Sequence, residues 1–236
     1  MVNTSVLKLY LDGPLQSYGR YSKWDTRDSG YFPSKSAIVG MIGCAMGVER
    51  NDSYLDFLAD NLSVNVRIDR NGRPLEDLQT VNSSVYMASG GLKDGGKYHP
   101  LFNKIYIQDA IFTVFIVGEI ELLKNIFNAF QNPKWPVYLG RKSCVPTSPI
   151  CIEEPYENIG DIENFIKSSP IYNIERIVTK NMENVYFQYI VEDIMGNIVS
   201  FDNLDSRGQK YYKGRNIKKG VFTKKVKKVD GNYVFE

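Results

Sequence analysis

Residues able to make or break bonds are scarce in this chain of 236 residues. Nucleophilic or general-base catalysis needs a poised acceptor beside a nucleophile, and His99 is the single histidine. It stands between Tyr98 and Pro100, in a glycine-rich stretch without any triad-like context, and reads as a surface residue. Cys44, Cys144 and Cys151 are odd in number and form no C-x-x-C pair, which argues against a disulfide framework and a thiolate zinc site. One histidine likewise excludes a His-rich metal centre. No cofactor is called for, since P-loop, dinucleotide-binding and H-E-x-x-H patterns are all absent from the sequence. Gly90-Gly91 and Gly95-Gly96 have the wrong spacing for a phosphate cradle and fit a flexible hairpin tip. Metal-free RNA cleavage stays chemically open, because Tyr, Lys and Arg side chains can orient a ribose hydroxyl and stabilise developing charge. Tyr18, Tyr21, Lys23 and Lys35 lie in suitable polar loops, but nothing in their spacing singles out a catalytic set.

Phosphate-binding chemistry is better represented. Leu139-Gly140-Arg141-Lys142-Ser143 places two cations and a hydroxyl after an extended run and a glycine, where backbone N–H groups can also meet a phosphate. The first loop repeats that chemistry with Gln16, Ser17, Tyr18, Arg20, Lys23 and Arg27. Ser34-Lys35-Ser36 offers hydroxyls, a cation and the positive end of a helix. After residue 206, ten basic residues stand against Asp230 and Glu236, so the net charge of +2 conceals an acidic body and a cationic end. Tyr211, Tyr212 and Phe222 are interleaved with those cations. The combination suits a polyanion, since neutralised phosphates release counterions and aromatic faces accept stacked bases. Single-stranded RNA is the ligand class these elements favour over generic surface charge.

The elements that must position these residues follow from the apolar pattern. Val6 to Leu11 alternates as a strand ended by Asp12-Gly13-Pro14, and a long polar, aromatic-rich loop runs to Phe32. A helix follows from Pro33 to about Met46 with Ser34 as N-cap, its Gly40, Gly43 and Gly47 spaced for close approach to a sheet. A short helix over 54–59, strands over 63–69 and 78–85, and a strand over 110–117 come next. Leu122, Ile126, Phe127 and Phe130 share one face of a helix over 121–131, and a strand and a sharp loop are expected to follow over 135–144. Strand, helix, strand, strand, helix, strand is the α+β, ferredoxin-like (RRM-like) βαββαβ order, with a glycine-tipped hairpin projecting as a thumb at about 81–104. Residues 151–236 show short strands and one helical pattern at 161–167, and are expected to form a smaller β-rich unit beside a domain of residues 1–150. The longest apolar stretch, 37–48, carries three glycines and falls short of the roughly 20 residues a membrane helix needs. With no signal-like N-terminus, a soluble, cytoplasmic protein with no membrane contact is the expectation.

Four blocks, taken together, carry a resemblance: Leu11-Asp12-Gly13-Pro14-Leu15-Gln16-Ser17-Tyr18-Gly19, Pro33-Ser34-Lys35-Ser36 with its glycine-spaced helix, Asp109-Ala110-Ile111-Phe112-Thr113-Val114, and the run from Tyr138 to Pro146. In this order they resemble the CasD-type subunits of type I-E CRISPR Cascade, the fifth CRISPR-associated protein family within the repeat-associated RNA-binding proteins. A weaker echo stands at Ser206-Arg207 and Tyr211-Tyr212. The resemblance implies a ferredoxin-like domain with a thumb, a small C-terminal β domain, and a non-catalytic role in antiviral defence that holds and caps the five-prime handle of CRISPR RNA. It also implies contacts with the Cascade backbone subunit and the large subunit. RNA contacts would then fall on Gln16, Ser17, Tyr18, Arg20 and Arg27, on Lys35 and Ser36, on Arg141, Lys142, Ser143 and Cys144, and on Arg207, Tyr211 and Tyr212. RNA, target DNA and the large subunit are three candidate partners for the basic C-terminal segment. Where the family usually has His-Thr after a strand, this chain has Gln79-Thr80, so no acid–base role can be placed there. The alternative reading is a metal-independent endoribonuclease that processes repeat RNA, as related subunits of type I-C systems do.

Overall fold

The computed structural model describes the whole chain except residues 1–3, 21–22, 24, 82–84, 97–99, 180–181, 206–210, 231 and 236, and gives the backbone alone at 95, 96, 204, 205 and 211. Tyr21, His99 and Arg207 therefore lie outside the described residues. Strand β1 (Ser5–Asp12) is followed by two short strands, β2 (Leu15–Gln16) and β3 (Thr26–Arg27), and by helices α1 (Lys35–Met46) and α2 (Ser53–Asn61). Strands β4 (Ser63–Arg70), β5 (Arg73–Thr80), β6 (Leu101–Gln108) and β7 (Ile111–Gly118) lead to α3 (Ile120–Gln131). The remainder contributes α4 (Ile162–Ser168), α5 (Ile174–Ile177), β8 (Asn184–Glu192), β9 (Ile198–Asp205), β10 (Tyr211–Val229) and β11 (Asn232–Phe235). No helix among the described residues is long and apolar enough to cross a membrane.

The alternation of β1 buries both of its faces. Leu7, Leu9 and Leu11 join Val64 and Val66 of β4, Phe112 and Val114 of β7, and the apolar stripes of α1 (Ile38, Ile42) and α3 (Leu123, Ile126) in one core. On the other face Val6, Phe115, Tyr189 and Val191 pack against Ile166 of α4. The main sheet runs β1-β7-β4-β8-β10, antiparallel throughout, with β9 and β11 also paired to β10. Its first half is the ferredoxin-like arrangement, with β7 between β1 and β4.

The fourth ferredoxin-like strand differs from expectation. Residues 135–144 form turns rather than a strand. Pro133 and Pro136 have no N–H for a ladder, and the Leu139 N–H turns back to the Cys144 carbonyl at 2.7 Å. The place beside β1 goes to 150–156. Val6 and Tyr156 exchange N–H···O bonds of 2.9 and 2.8 Å, and the Tyr10 N–H donates to the Ile150 carbonyl at 2.7 Å. Prolines at 146, 149 and 155 keep this stretch irregular.

The thumb is longer at its base than the sequence implies. Strands β5 and β6 pair from Arg73↔Gln108 to Thr80↔Leu101, so the ladder begins eight residues before position 81 and the segment 81–100 is its tip. Within that tip Tyr86 bridges Leu92, and Lys93–Gly96 forms a 3₁₀ turn. β2 and β3 pair with β6 to complete a second, smaller sheet.

The main sheet crosses residue 150 without a break. β8 pairs with β4 through Val66↔Ile190 to Ile68↔Gln188, and Ile190 and Ile217 belong to the same core as Leu9. β8 and β9 together form one long partner of β10, interrupted by the turn at 193–197. Arg67 of β4, fully buried, fastens α4 to the sheet. Its Nη1 donates to the carbonyls of Ile166 and Ser169 at 2.8 and 2.9 Å, its Nη2 to that of Pro170 at 2.7 Å, and its Nε to Asp69 at 2.5 Å.

Candidate nucleic-acid interface

Helix α1 begins where Ser34, in extended conformation, accepts the Ala37 N–H on its Oγ at 3.2 Å, and ends where Gly47 turns left-handed at φ +76. Its glycines do not serve the sheet as expected. A Cβ on Gly43 would lie 2.6 Å from Leu55, so this glycine admits α2, whereas a Cβ on Gly40 would meet nothing within 4 Å. Gly40 instead opens onto a cleft of ≈ 380 Å³.

Three separate stretches of sequence meet at that cleft. The first loop supplies Ser17–Gly19, α1 supplies Ser34, Ser36 and Gly40, and the turn after residue 137 supplies Tyr138 and Gly140. Arg50 and Tyr212 complete it, the latter 42% exposed and reaching in from β10. The loop and the turn are locked together, for the Ser17 N–H donates to the Leu139 carbonyl at 3.0 Å. Gly140 is required here. It sits at φ +93, and a Cβ would overlap the Ser17 carbonyl.

Several of the expected contact residues are placed under the surface. Gln16 is fully buried, its Nε2 donating to the Ala110 carbonyl at 2.8 Å while its Oε1 accepts the Tyr18 hydroxyl at 2.7 Å. Burial pushes the Tyr18 phenol far above its ordinary pKa, and its ring meets Phe112 edge-on. The Ser17 hydroxyl donates to the Ile105 carbonyl, and the Cys144 side chain lies in the core with its thiol pKa raised by burial. These four build the walls. The Ser17 and Tyr18 N–H groups are engaged as well, by the Leu139 carbonyl and the Ser29 hydroxyl.

Lys35 is also turned inward. Its side chain is 4% exposed and donates to Glu192 at 3.0 Å, while its N–H donates to Asp202 at 2.9 Å. Arg215 holds both acids, reaching Asp202 through Nε (2.7 Å) and Nη2 (2.9 Å) and Glu192 through Nη1 (3.3 Å). Burial by itself would raise the Asp202 pKa, but the hydrogen bonds and charge of Arg215 outweigh it and hold the carboxyl below its usual range. Two cations and two anions thus form a neutral cluster that ties the start of α1 to β10.

Other predicted cations are half-buried or exposed. Arg141 lies 4.6 Å over the Tyr106 ring and donates from Nη2 to the carbonyls of Arg27 and Asp28, leaving Nη1 without an acceptor among the described residues. Arg20 lies 4.5 Å over Phe32, with Nε and Nη2 likewise lacking acceptors. Arg27, Lys142 and Ser143 are exposed. Tyr211 is placed by its backbone pairing with Asp205 at the outer end of β10. Sequence reasoning missed Gly40, Arg50 and Tyr138 as cleft residues. Gly40 falls one helical turn after Ser36, on the same face, which was the available signal; nothing local marks Arg50.

A family model described as CRISPR-associated protein (Cas_Cas5) matches residues 6–224. The CRISPR system Cascade subunit CasD of Escherichia coli (strain K12) is 31% identical over 163 residues, covering 62% of this chain and 69% of that protein. Among solved structures, a chain of a CRISPR RNA-guided surveillance complex superposes with a TM-score of 0.74 at 28% identity, over 92% of this chain and 90% of that one. A crystal structure of a Cas protein gives a TM-score of 0.59 at 26% identity, over 92% and 94%. On the strength of the match over residues 6–224, the chain belongs to the Cas5 family of CRISPR-associated proteins.

Proposed function

We propose that this protein is a non-catalytic, cytoplasmic subunit of a type I-E CRISPR surveillance complex (Cascade), in which it binds and caps the five-prime handle of CRISPR RNA. The observation that carries this reading is the convergence of the first loop, the α1 N-terminus, the Gly140 turn and Tyr212 on one cleft. Serine side chains, the start of α1 and the exposed Tyr212 ring line it, and Arg141 and Lys142 stand at the turn that closes it. Such a set grips a phosphate backbone and stacks a base. The thumb suits the backbone subunit as its partner, because Leu78, Leu101 and Tyr86 are each more than half exposed along one hairpin. The large subunit is the other neighbour in this reading.

Two of the four groups considered for RNA cleavage are not positioned for it. Tyr18 is sealed in the core with its hydroxyl donating to Gln16, and Lys35 is held by Glu192. Gln79 is occupied by Asp77 and Lys104. This favours RNA holding over RNA processing.

The test is binding of end-labelled repeat RNA by the full chain, in chelator, with the RNA examined afterwards on a denaturing gel. Replacing Arg141 and Lys142 by Ala is expected to weaken handle binding roughly ten-fold and to flatten its salt dependence by about one phosphate contact or more. Unchanged affinity would remove the cleft from the RNA path. A single cut abolished by one deoxy substitution would make the protein a processing enzyme.

A further inference from the structure

A second groove, of about 680 Å³, lies elsewhere, between the β5–β6 hairpin and the main sheet. We propose that this groove, together with the open sheet face that continues from it, is a second seat for single-stranded RNA, which takes phosphates at Lys219 and Lys225 and stacks bases on Tyr31 and Tyr186. The inference rests on the reading of the protein as RNA-binding and extends the RNA path beyond the cleft described above.

Helices α1 and α3 cover the sheet only as far as Ile190 of β8 and Ile217 of β10, which are the last residues of that face in the core. Beyond them the same face is uncovered. Its register pairs Lys219 with Ile190, Val221 with Gln188, Thr223 with Tyr186 and Lys225 with Asn184. Tyr186 is 71% and Val221 63% exposed, and Gln188, Thr223 and Lys225 are exposed as well. No carboxylate occurs among these eight positions, nor among the residues lining the groove. Lys219 and Lys225 are six residues apart on one strand, about 20 Å at the rise of an extended chain.

The opposite wall adds rings and further positive charge. Tyr31, 79% exposed, stands at the groove mouth beside Phe32. Arg20 and Lys219 both ride on the Phe32 ring, at 4.5 and 5.9 Å, and two guanidinium nitrogens of Arg20 have no acceptor among the described residues. Arg20 thus backs the Phe32 ring from beside the groove, and the exposed Lys219 ammonium is the cation that this end offers to a phosphodiester. Exposed rings interspersed with amide, hydroxyl and ammonium groups on a flat sheet face form a platform for unpaired bases. An acidic protein surface would meet the lysines but would leave Tyr31 and Tyr186 without stacking partners.

The groove and the cleft share a wall. The first loop shows Tyr18 and Gly19 to the cleft and Ser29–Phe32 to the groove, its two limbs joined by the Gly30 N–H bond to the Tyr18 carbonyl at 2.6 Å. Arg141, next to cleft residue Gly140, lies over groove residue Tyr106. A strand leaving the cleft can thus continue across this loop into the groove.

The test uses the full chain and two fluorescent RNAs, the repeat-derived handle alone and the same handle extended by about ten nucleotides. Lys219→Ala with Lys225→Ala should weaken the extended RNA about ten-fold and reduce its salt slope by roughly 1.4, at about 0.7 per single-strand phosphate contact, while handle affinity stays as in the wild type. Tyr31→Ala with Tyr186→Ala should weaken it by a similar factor with an unchanged salt slope, separating stacking from charge. All four side chains are on the surface, and equal thermal melts of variants and wild type verify the fold. Normal binding of both RNAs by the fourfold variant would overturn the groove as an RNA seat, assign it to a protein partner, and leave handle binding intact. Failure of the wild type to bind either RNA would overturn the underlying reading as well.

Discussion

At the scale of single residues, chemistry and orientation separate. Gly40 has neither charge nor hydrogen-bonding side chain, yet its missing Cβ helps leave the cleft open. Replacing it by Leu puts a better helix former at an exposed helical position, a gain of about 0.8 kcal/mol in helix propensity, and directs the new side chain toward the preceding turn, where Ser36 and Ala37 line the cleft. The expected outcome is a melting temperature no lower than wild type together with a loss of handle RNA binding of ten-fold or more, measured by fluorescence anisotropy; wild-type affinity in Gly40→Leu would place the RNA elsewhere. Residue types in the first loop, by contrast, indicated where a cleft is built more reliably than which atoms face it. Gln16, Ser17 and Tyr18 carry the hydrogen-bonding groups that a ligand would want, but use them on the Ala110 and Ile105 carbonyls and on one another. A loop has no period from which an inside and an outside can be read, so its polar residues stayed ambiguous until the fold existed. Lys35 misled for a different reason, because its partners Glu192 and Asp202 lie more than 150 residues away in the sequence.

At the scale of elements, periodicity was a sound guide where it was present. The helices over 35–46 and 120–131 and the strands at 5–12, 63–70 and 111–118 are written in apolar spacing. The expected strand at 135–144 was misplaced because extended-looking residues there are broken by proline, and the true neighbour of β1 at 150–156 has too many prolines to look like a strand. How α1 is held in place could not be read at all, since it depends on the four-charge cluster with β10. Asp202 is the pivot of that cluster, and its pKa is depressed in the folded protein. A depressed carboxyl contributes stability that is fully present above its unfolded pKa, about 3.9, and is lost as pH falls through the folded value. Thermal melts from pH 7 down to about pH 3 should therefore show a steepening loss of stability below about pH 4. Asp202→Asn should be less stable at neutral pH, because the buried Arg215 loses its charged partner, and should lose less on acidification. A variant whose melting temperature falls in parallel with wild type over that range would show that Asp202 is not the group being titrated.

At the scale of the whole molecule, the continuous sheet determines which pieces of the chain can fold. The sequence suggests a ferredoxin-like unit ending near residue 150, and the order of its first elements agrees with the fold, yet β4 is not an edge strand. It is flanked by β7 and β8, and the core on its helix side is completed by Ile190 and Ile217. A chain cut at residue 150 would expose the β4 edge, a row of unpaired backbone groups prone to intermolecular pairing. It would also leave Arg67 buried or half-buried with Asp69 but without the carbonyls of Ile166, Ser169 and Pro170, a charged group stripped of hydrogen bonds worth about 1.5–3 kcal/mol each. Lys35 would lose Glu192 and Asp202 at the same time. Against a total stability of roughly 5–15 kcal/mol for a domain, these losses are decisive. Residues 1–150 expressed alone should thus aggregate or lack a cooperative melt, whereas the full chain melts in one transition, as followed by circular dichroism and gel filtration. A monomeric 1–150 fragment with a sharp transition of its own would show that the C-terminal strands are an attachment to the sheet and not part of its foundation. That outcome would also detach the groove proposal from handle binding, since the fragment would retain the first loop and α1 but none of β8 and β10.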